Sequence, residues 1–237
     1  MQKRILKKVG RGWFTKPMHI VKMRSKSSLQ GKVLKKYQGT FTRAGALRIE
    51  RMVLDYLSFL KQTGIPTLET KVKLIPTKNN KYRLFMLQPL IEKQNILSEK
   101  LKVCSREEAL DYFRQTLNYV NQLSKFNSRG AEKVGLDLKP KNYAIVNGKV
   151  TQLDFFPPQI KENMQVNSRD LTEHLGSRML RGMTRLVGFP VDNRIEHALE
   201  QHFSPDFLSD RISRHFTRVR PELKKEFDKV LAQTKDL

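Results

Sequence analysis

The dipeptide Asn147-Gly148 is the strongest local constraint on how this chain folds. Asn-Gly between two short apolar stretches favours a two-residue turn in which both central residues have positive φ. The two stretches are Tyr143 to Val146 and Lys149 to Phe155. The sequence therefore predicts a β-hairpin over these residues.

The predicted hairpin gathers polar side chains at its open end. Asn142 immediately precedes the first strand, Asp154 ends the second, and Asp137 lies in the loop just before them. Taken singly, each is better explained as a loop former, because Asp and Asn often make turns. Taken together, two carboxylates and an amide supply the oxygen ligands of Mg²⁺, which usually binds together with phosphates. The spacing favours a phosphoryl-transfer site.

The segment before this loop alternates predicted strands with one helix. Residues 4 to 37 predict a meander of three strands, and the spacing of Ile49, Val53, Leu57 and Leu60 predicts a helix from Arg43 to Lys61 that ends before Gly64-Ile65-Pro66. Two further strands, Val72 to Ile75 and Tyr82 to Leu87, are joined at Asn79-Asn80. The predicted order is βββαββ.

The remaining sequence predicts mainly helices. Ser105 and Glu108 have capping-box spacing, and Leu110, Phe113, Leu117 and Val120 mark the buried face of a helix that ends near Gly130. From about Arg169 onward, a stripe of Leu and Met with proline breaks again predicts helices.

Asp137-Leu138-Lys139-Pro140-Lys141-Asn142 resembles the catalytic loop of the protein-kinase-like superfamily, and Leu153-Asp154-Phe155 resembles its D-F-G metal motif. The similarity extends to the element order over roughly residues 5 to 190. The resemblance implies an α+β, two-lobed fold. Residues 1–90 would form a small β-rich nucleotide-binding lobe with one helix, and residues 91–237 a mainly helical catalytic and substrate lobe.

Three positions depart from the protein-kinase motifs. Gly135 stands where the family often has His, Leu136 where protein kinases have Arg, and Phe156 where the glycine of D-F-G is expected. No A-P-E follows Asp154, so a recognisable peptide-docking segment is missing. The chain is more similar to compact aminoglycoside and choline phosphotransferases, lipopolysaccharide sugar kinases and RIO-type atypical kinases.

The resemblance implies roles for the residues of the two motifs. Asp137 would orient the acceptor hydroxyl and accept its proton, and Lys139 would contact the transferring γ-phosphoryl group. Asn142 and Asp154 would bind Mg²⁺.

The resemblance also implies a nucleotide-binding set near the N-terminus. Lys35 would pair with Glu50 and bind the α- and β-phosphates of ATP. Lys36 is the alternative, because strand alternation places the two lysines on opposite faces. Gly10 and Gly12 would form the phosphate-covering turn. The position of the adenine-contacting hinge is taken by residues 88–91.

Positive charge dominates the chain. Lys and Arg number 46 against 23 Asp and Glu, a formal net charge of +23, and no acidic residue precedes Glu50. Such an excess attracts nucleic acid, anionic membrane surfaces or nucleotide phosphates. Two arginine triplets, Arg178/Arg181/Arg185 and Arg211/Arg214/Arg218, have the spacing of one helical face, for which a solvated surface is an equal alternative.

These observations predict an ATP- and Mg²⁺-dependent phosphotransferase acting on a hydroxyl of an unknown substrate that is either small or anionic. The alternative is a catalytically silent kinase-like module that binds nucleic acid or another polyanion. The single cysteine, Cys104, and the lack of an apolar run of about 20 residues predict a cytoplasmic protein without a transmembrane segment. The histidines, His215 among them, lack zinc-site spacing and predict structural or surface roles.

Overall fold

The computed structural model describes residues 6–8, 15–20, 31–37, 40–77, 79–130, 133–154 and 203–235. These residues form an α+β structure with antiparallel sheets, as the sequence predicts. They divide into two compact units: residues up to 58 together with 68–91, and residues 59–67, 92–154 and 203–235. No helix within these ranges is both long and apolar enough to cross a membrane.

The first unit contains a five-stranded antiparallel sheet with the order β1-β2-β3-β5-β4. Its one helix, α1, lies between β3 and β4 in the chain, so the predicted βββαββ order is confirmed. The elements are β1 (Leu6–Lys8), β2 (Thr15–Ile20), β3 (Lys32–Tyr37), α1 (Arg43–Gln62), β4 (Lys71–Pro76) and β5 (Tyr82–Pro89).

Strand β3 has one buried and one partly exposed face. Val33, Lys35 and Tyr37 are buried, whereas Leu34 and Lys36 are only half-buried. Alternate side chains of a strand point to opposite faces, so Lys35 lies on the buried face and Lys36 on the other. The structure therefore distinguishes two lysines that the sequence left as alternatives.

Helix α1 has the predicted length but a shifted buried face. Val53 and Leu60 are buried as predicted, whereas Ile49 and Leu57 are only half-buried. The buried positions also include Ala46, Met52 and Tyr56. The helix ends where predicted, with Gly64 at φ 77° and the nitrogen of Ile65 donating to the carbonyl of Leu60 at 3.1 Å.

The β4–β5 hairpin turns at the predicted asparagines. Asn79 and Asn80 both have positive φ, 63° and 53°, which is the conformation of a type I′ turn. Asparagine tolerates this region better than other non-glycine residues, since its side chain can hydrogen-bond locally. β5 extends to Pro89, so Gln88 belongs to the strand, whereas the sequence predicts that Gln88 already leads away from it.

The second unit is mainly helical with one two-stranded sheet. Helix α2 was not predicted, because its seven residues are too few to show a clear period. The elements are α2 (Leu97–Val103), α3 (Arg106–Arg129), β6 (Tyr143–Val146), β7 (Lys149–Gln152), α4 (Pro205–Val219) and α5 (Lys224–Lys235), with 3₁₀ turns at Lys93–Asn95, Pro140–Asn142 and Pro221–Leu223.

Three phenylalanines from distant parts of the chain form the centre of this unit. Phe113 of α3, Phe216 of α4 and Phe227 of α5 have ring centroids 4.7 to 5.7 Å apart, and each side chain is fully buried. Tilted and edge-on pairs at these distances add stabilisation to that of apolar burial. The cluster joins the two C-terminal helices to α3.

Helix α3 begins and ends as predicted. The Ser105 hydroxyl accepts a hydrogen bond from the nitrogen of Glu108 at 3.1 Å, and the Glu108 carboxylate accepts one from the nitrogen of Ser105 at 3.0 Å. This is a capping box, and the helix ends at Arg129 before Gly130.

A guanidinium group ties the end of α2 to the end of α4. Arg220 donates from Nη1 to the carbonyl oxygens of Leu101 and Cys104, at 2.9 and 3.1 Å. The last carbonyls of a helix lack partners within it, so these contacts satisfy the C-terminal end of α2.

Candidate active site

The loop that contains Asp137 is fixed by its apolar neighbours. Leu136 and Leu138 are fully buried on either side of it. Upstream, the Asn127 side chain donates to the carbonyl of Val134 and accepts from its nitrogen, both at 2.9 Å. The loop is therefore attached to α3, and Asp137 has little freedom to move along it.

A 3₁₀ turn places Asn142 after Asp137. Pro140 has its φ preset for the first position of this turn, and the nitrogen of Asn142 donates to the carbonyl of Lys139 at 2.8 Å. Asn142 is only 7% exposed. Its Nδ2 donates to the carbonyl of Asp137 at 3.5 Å, which leaves the amide oxygen available to a ligand.

The hairpin that follows has the predicted turn but a shorter second strand. Asn147 and Gly148 have φ 49° and 75°. β7 ends at Gln152 rather than at Phe155, because the nitrogens of Leu153 and Asp154 turn to the carbonyl of Asn142. Phe155 and Phe156 lie outside the described residues.

Helix α3 holds the hairpin through one glutamine. Gln115 Nε2 donates to the carbonyl of Gly148 at 3.2 Å, and its Oε1 accepts from the nitrogen of Val150 at 2.9 Å. Tyr119 donates to the carbonyl of Val150 at 2.6 Å, and burial raises the pKa of its phenol to about 12. The turn and strand β7 are thereby anchored to the helix.

The structure brings together the predicted residues of the second unit. The carbonyl of Asn142 accepts from the nitrogen of Asp154 at 3.1 Å, and the amide of Asn142 contacts the backbone of Asp137. Lys139 Nζ lies 3.1 Å from Asp137 Oδ2. One hydrogen-bonded segment thus contains all four of these residues.

The Asp137 carboxylate is paired at only one of its two oxygens. Oδ2 accepts from Lys139, whereas Oδ1 is buried and has no hydrogen-bond partner among the described residues. A buried acceptor without a partner carries a desolvation cost of about 1–3 kcal/mol. Such an atom is well placed to accept a proton from a bound hydroxyl.

No pattern in the sequence predicts that His215 lies in this neighbourhood. It lies on α4, and burial together with Arg211 and Arg218 lowers its pKa to about 4, while the Asp137 carboxylate acts in the opposite direction. Its Nε2 is buried and unpartnered within the described part of the chain. Only the packing of α4 near the loop reveals it, since 78 residues separate it from Asp137.

The donor set fits Mg²⁺ in part. Mg²⁺ is usually bound through one or two carboxylates, with phosphate and water completing the octahedron. The Asn142 amide oxygen and the Asp154 carboxylate are of the required chemistry, with the unpartnered Asp137 oxygen in the same segment. The described residues contain no group of three or more His, Cys, Asp or Glu side chains that could bind a metal alone.

The predicted nucleotide-binding residues belong to the first unit. Lys35 is buried on β3, and Glu50 is half-buried on α1. Gln88 is buried on β5 and donates from Nε2 to the Thr70 hydroxyl at 2.9 Å. Gly10 and Gly12, like the Arg178 triplet, lie outside the described residues.

Comparison with known proteins identifies one family. The model of a family described as a family of unknown function (DUF6206) matches residues 3–235, and the chain belongs to this family. No curated protein matches the chain.

Proposed function

We propose that this member of the DUF6206 family is an ATP- and Mg²⁺-dependent phosphotransferase with a two-lobed, protein-kinase-like fold. Its acceptor would be a hydroxyl group of an anionic compound. The catalytic-loop and metal-motif resemblances and the βββαββ order of the first unit support this proposal.

One observation carries the proposal. Asp137, Asn142 and Asp154 are linked by hydrogen bonds although the hairpin separates the last two in sequence, and one Asp137 oxygen is buried without a partner. Loop formers need no such convergence, since each could satisfy its own turn locally. A site that binds a hydroxyl group and a metal ion requires these residues to converge.

The roles follow from the chemistry of each group. Asp137 would accept the proton of the acceptor hydroxyl at Oδ1, while Lys139 would hold Oδ2 and neutralise charge on the transferring phosphoryl group. The Asn142 amide oxygen and the Asp154 carboxylate would hold Mg²⁺, which supplies charge neutralisation for the phosphates of ATP. In the first unit, Lys35 would contact those phosphates, and Glu50 would pair with Lys35.

A second candidate function has its own supporting observation. The net charge of +23 exceeds what a nucleotide site requires, and it favours a polyanionic partner. A catalytically silent module that binds nucleic acid would explain the charge, but it has no use for the Asp137 and Asp154 carboxylates. An active phosphotransferase that also binds nucleic acid would explain both the positive charge and the two carboxylates.

Nucleotide-dependent thermal stability tests the proposal. ATP with Mg²⁺ should raise the melting temperature, because a ligand that binds only the folded state stabilises it. Asp154→Ala should remove most of the Mg²⁺-dependent part of this shift. Asp55→Ala is the matched control, since Asp55 is a half-exposed carboxylate whose ion pair to Arg51 is long, 3.9 Å.

Two measurements can contradict the proposal, nucleotide binding by the wild-type chain and the melting shifts of the two variants. If calorimetry detects no nucleotide binding by the wild-type chain at millimolar ATP with Mg²⁺, the protein is not an ATP-dependent enzyme. If Asp154→Ala and Asp55→Ala retain equal shifts, Asp154 does not hold the metal.

A further inference from the structure

The five-stranded sheet has one face that is not buried. Residues directly opposite each other in antiparallel strands share a face, so the register of β3, β5 and β4 puts Lys36, Phe85 and Lys73 in one row across it. Every residue that these three strands contribute to this face is half-buried or exposed, whereas the other face of β3 is buried at each position. We call the face that carries this row the basic sheet face.

Five cations lie on the basic sheet face, and β3, β4 and β5 contain no acidic residue. The five are Lys32, Lys36, Lys71, Lys73 and Arg83. Lys71 has a long ion pair of 3.8 Å to Glu69, which precedes its strand. The other four have no carboxylate partner among the described residues. Positive charge that is not neutralised within the protein attracts a polyanion to this face.

An apolar surface lies between the cations. Phe85 is flanked by Lys36 on β3 and by Lys73 on β4. Because neighbouring strands are about 4.8 Å apart, the backbones of the two lysines are separated by about 10 Å across the phenylalanine. Leu87 and Ile75 continue the apolar surface on either side along the strands, and Ile75 is 47% exposed. A flat, apolar group on Phe85 would therefore have cations on both sides.

This composition favours single-stranded nucleic acid over other polyanions. Unpaired bases stack on aromatic side chains while basic residues beside them contact the phosphates. A duplex or an acidic peptide would use the cations but would leave the apolar surface without a partner. An anionic membrane binds through apolar side chains that enter the lipid, whereas Phe85 and Leu87 are half-buried within the sheet. RNA is the better candidate, because its loops and ends present unpaired bases.

We propose that the basic sheet face binds single-stranded RNA, with a base stacked on Phe85 and the neighbouring phosphates contacting Lys36 and Lys73. The inference is independent of phosphoryl transfer, because it uses the face of β3 opposite to Lys35. It assigns a surface to the polyanion that the net charge of +23 attracts.

Fluorescence anisotropy with two labelled probes of equal charge tests the stacking. One probe is an oligouridine of about 12 nucleotides, and the other is an abasic oligonucleotide with the same number of phosphates. The wild-type chain should bind oligouridine more tightly by on the order of tenfold, the gain expected for stacking of a base. Phe85→Leu should abolish this preference and leave the affinity for the abasic probe unchanged, whereas Phe85→Tyr, which retains an aromatic ring, should keep the preference.

Lys73→Gln tests the charge at an exposed position, where the substitution should not impair folding. It should weaken the binding of both probes and reduce the slope of log Kd against log salt by about 0.7, the contribution of one phosphate contact in a single strand. Lys61→Gln is the matched control, because Lys61 is an exposed lysine on α1 and not on the sheet. Its slope should equal that of the wild type.

Four results would overturn the proposal. Equal affinity of the wild type for both probes, or an equal loss for both probes in Phe85→Leu, would reject stacking on Phe85. A salt slope of Lys73→Gln equal to that of Lys61→Gln would reject the basic sheet face as the site. Tighter binding of oligodeoxythymidine than of oligouridine would assign the face to DNA. Displacement of oligouridine by phosphatidylserine vesicles, lost in Lys73→Gln, would assign it to a membrane surface.

The outcomes for this inference and for the proposed function are distinguishable. A melting shift with ATP and Mg²⁺ but no preference for oligouridine would retain the phosphotransferase and reject the RNA-binding face. A preference for oligouridine that depends on Phe85, without any nucleotide effect, would retain the RNA-binding face and reject the phosphotransferase.

Discussion

The backbone nitrogen of Asp154 donates a hydrogen bond to the carbonyl oxygen of Asn142, 3.1 Å away. This bond joins the residue before the hairpin to the residue just after it. Because it uses only backbone atoms, it survives substitution of either side chain. Side-chain variants at these two positions therefore test ligand binding without disrupting the hairpin.

The two lysines of β3 should differ in their effect on nucleotide binding. Lys35→Met should raise the Kd of ATP with Mg²⁺ by on the order of tenfold or more, since it removes a charged partner of phosphate from the buried face. Lys36→Met, on the opposite face, is the control and should change the Kd less than twofold. Isothermal titration calorimetry measures both. Equal losses would show that neither lysine is specific for the nucleotide.

Asp137 should affect turnover rather than nucleotide affinity. Asp137→Asn keeps the shape of the side chain but removes the proton acceptor, so phosphoryl transfer should fall by on the order of 10²–10⁴-fold. The ATP affinity should stay nearly unchanged, because in the proposed function Asp137 contacts the acceptor and not the nucleotide. Assays with radiolabelled ATP against proteins, RNAs and metabolites provide the readout. Unchanged transfer would make Asp137 a structural residue.

His215 should make the protein less stable in mild acid. Its folded-state pKa of about 4 lies below the unfolded value, near 6.5, so the unfolded chain binds the proton first as the pH falls. The contribution of the neutral His215 side chain to the free energy of unfolding is therefore fully present above about pH 6.5 and is lost progressively toward pH 4.

Urea unfolding of wild type and His215→Gln between pH 4 and 7.5 measures this effect. The difference in unfolding free energy between the two proteins should change with pH. This change reports His215 alone, because the carboxylates titrate in both proteins and their effects cancel. A pH-independent difference would show that His215 titrates alike in the folded and unfolded states. NMR titration should give a pKa near 4 for one of the five histidines.

Gln115 should stabilise the hairpin that carries Asp154. Gln115→Ala removes the two hydrogen bonds to the hairpin and a third to Asp111, and it leaves the nitrogen of Val150 without its partner. The loss should cost about 1–3 kcal/mol of unfolding free energy. Arg114→Ala, an exposed neighbour on α3, is the control and should cost less than about 0.5 kcal/mol. Comparable losses in urea unfolding would mean that the hairpin is held elsewhere.

The positive charge should produce salt-dependent binding to polyanions. We expect single-stranded RNA to bind with little sequence preference and a Kd of about 10⁻⁴–10⁻⁶ M near physiological salt, weakening steeply as salt rises. Fluorescence anisotropy at several salt concentrations gives the slope, with and without saturating ATP. Absence of association at about 50 mM salt would assign the charge to solubility or to a specific protein partner.

Local signals in the sequence predicted the strands and helices near the site. The Asn147-Gly148 turn, the Ser105 capping box and the end of α1 before Gly64 each depend on backbone conformation or caps that a few residues determine. The end of β7 was predicted three residues too late. Leu153 and Asp154 leave the strand because their nitrogens bond to the carbonyl of Asn142, which apolar alternation does not reveal.

The sequence could not predict contacts between distant elements. Lys35 and Lys36 alternate in the sequence without any sign of which face is buried, and only the burial of alternate side chains in the folded sheet decides it. His215 reaches the neighbourhood of Asp137 through the packing of α4, which no periodicity encodes. The buried face of α1 also differs from the predicted one, because the burial of a helix face depends on contacts with distant elements.

The phenylalanine cluster can form only late in synthesis, after the two C-terminal helices have left the ribosome. Phe113 leaves the ribosome roughly one hundred residues before Phe216 and Phe227, the two rings that cover it. Until both have emerged, α3 exposes an apolar face in a nascent chain, the kind of surface that chaperones bind. A stalled or truncated product that ends before residue 203 would contain the Asp137 loop and the hairpin, but not the two rings that shield helix α3, which supports them. Such fragments should be recovered mainly as aggregates.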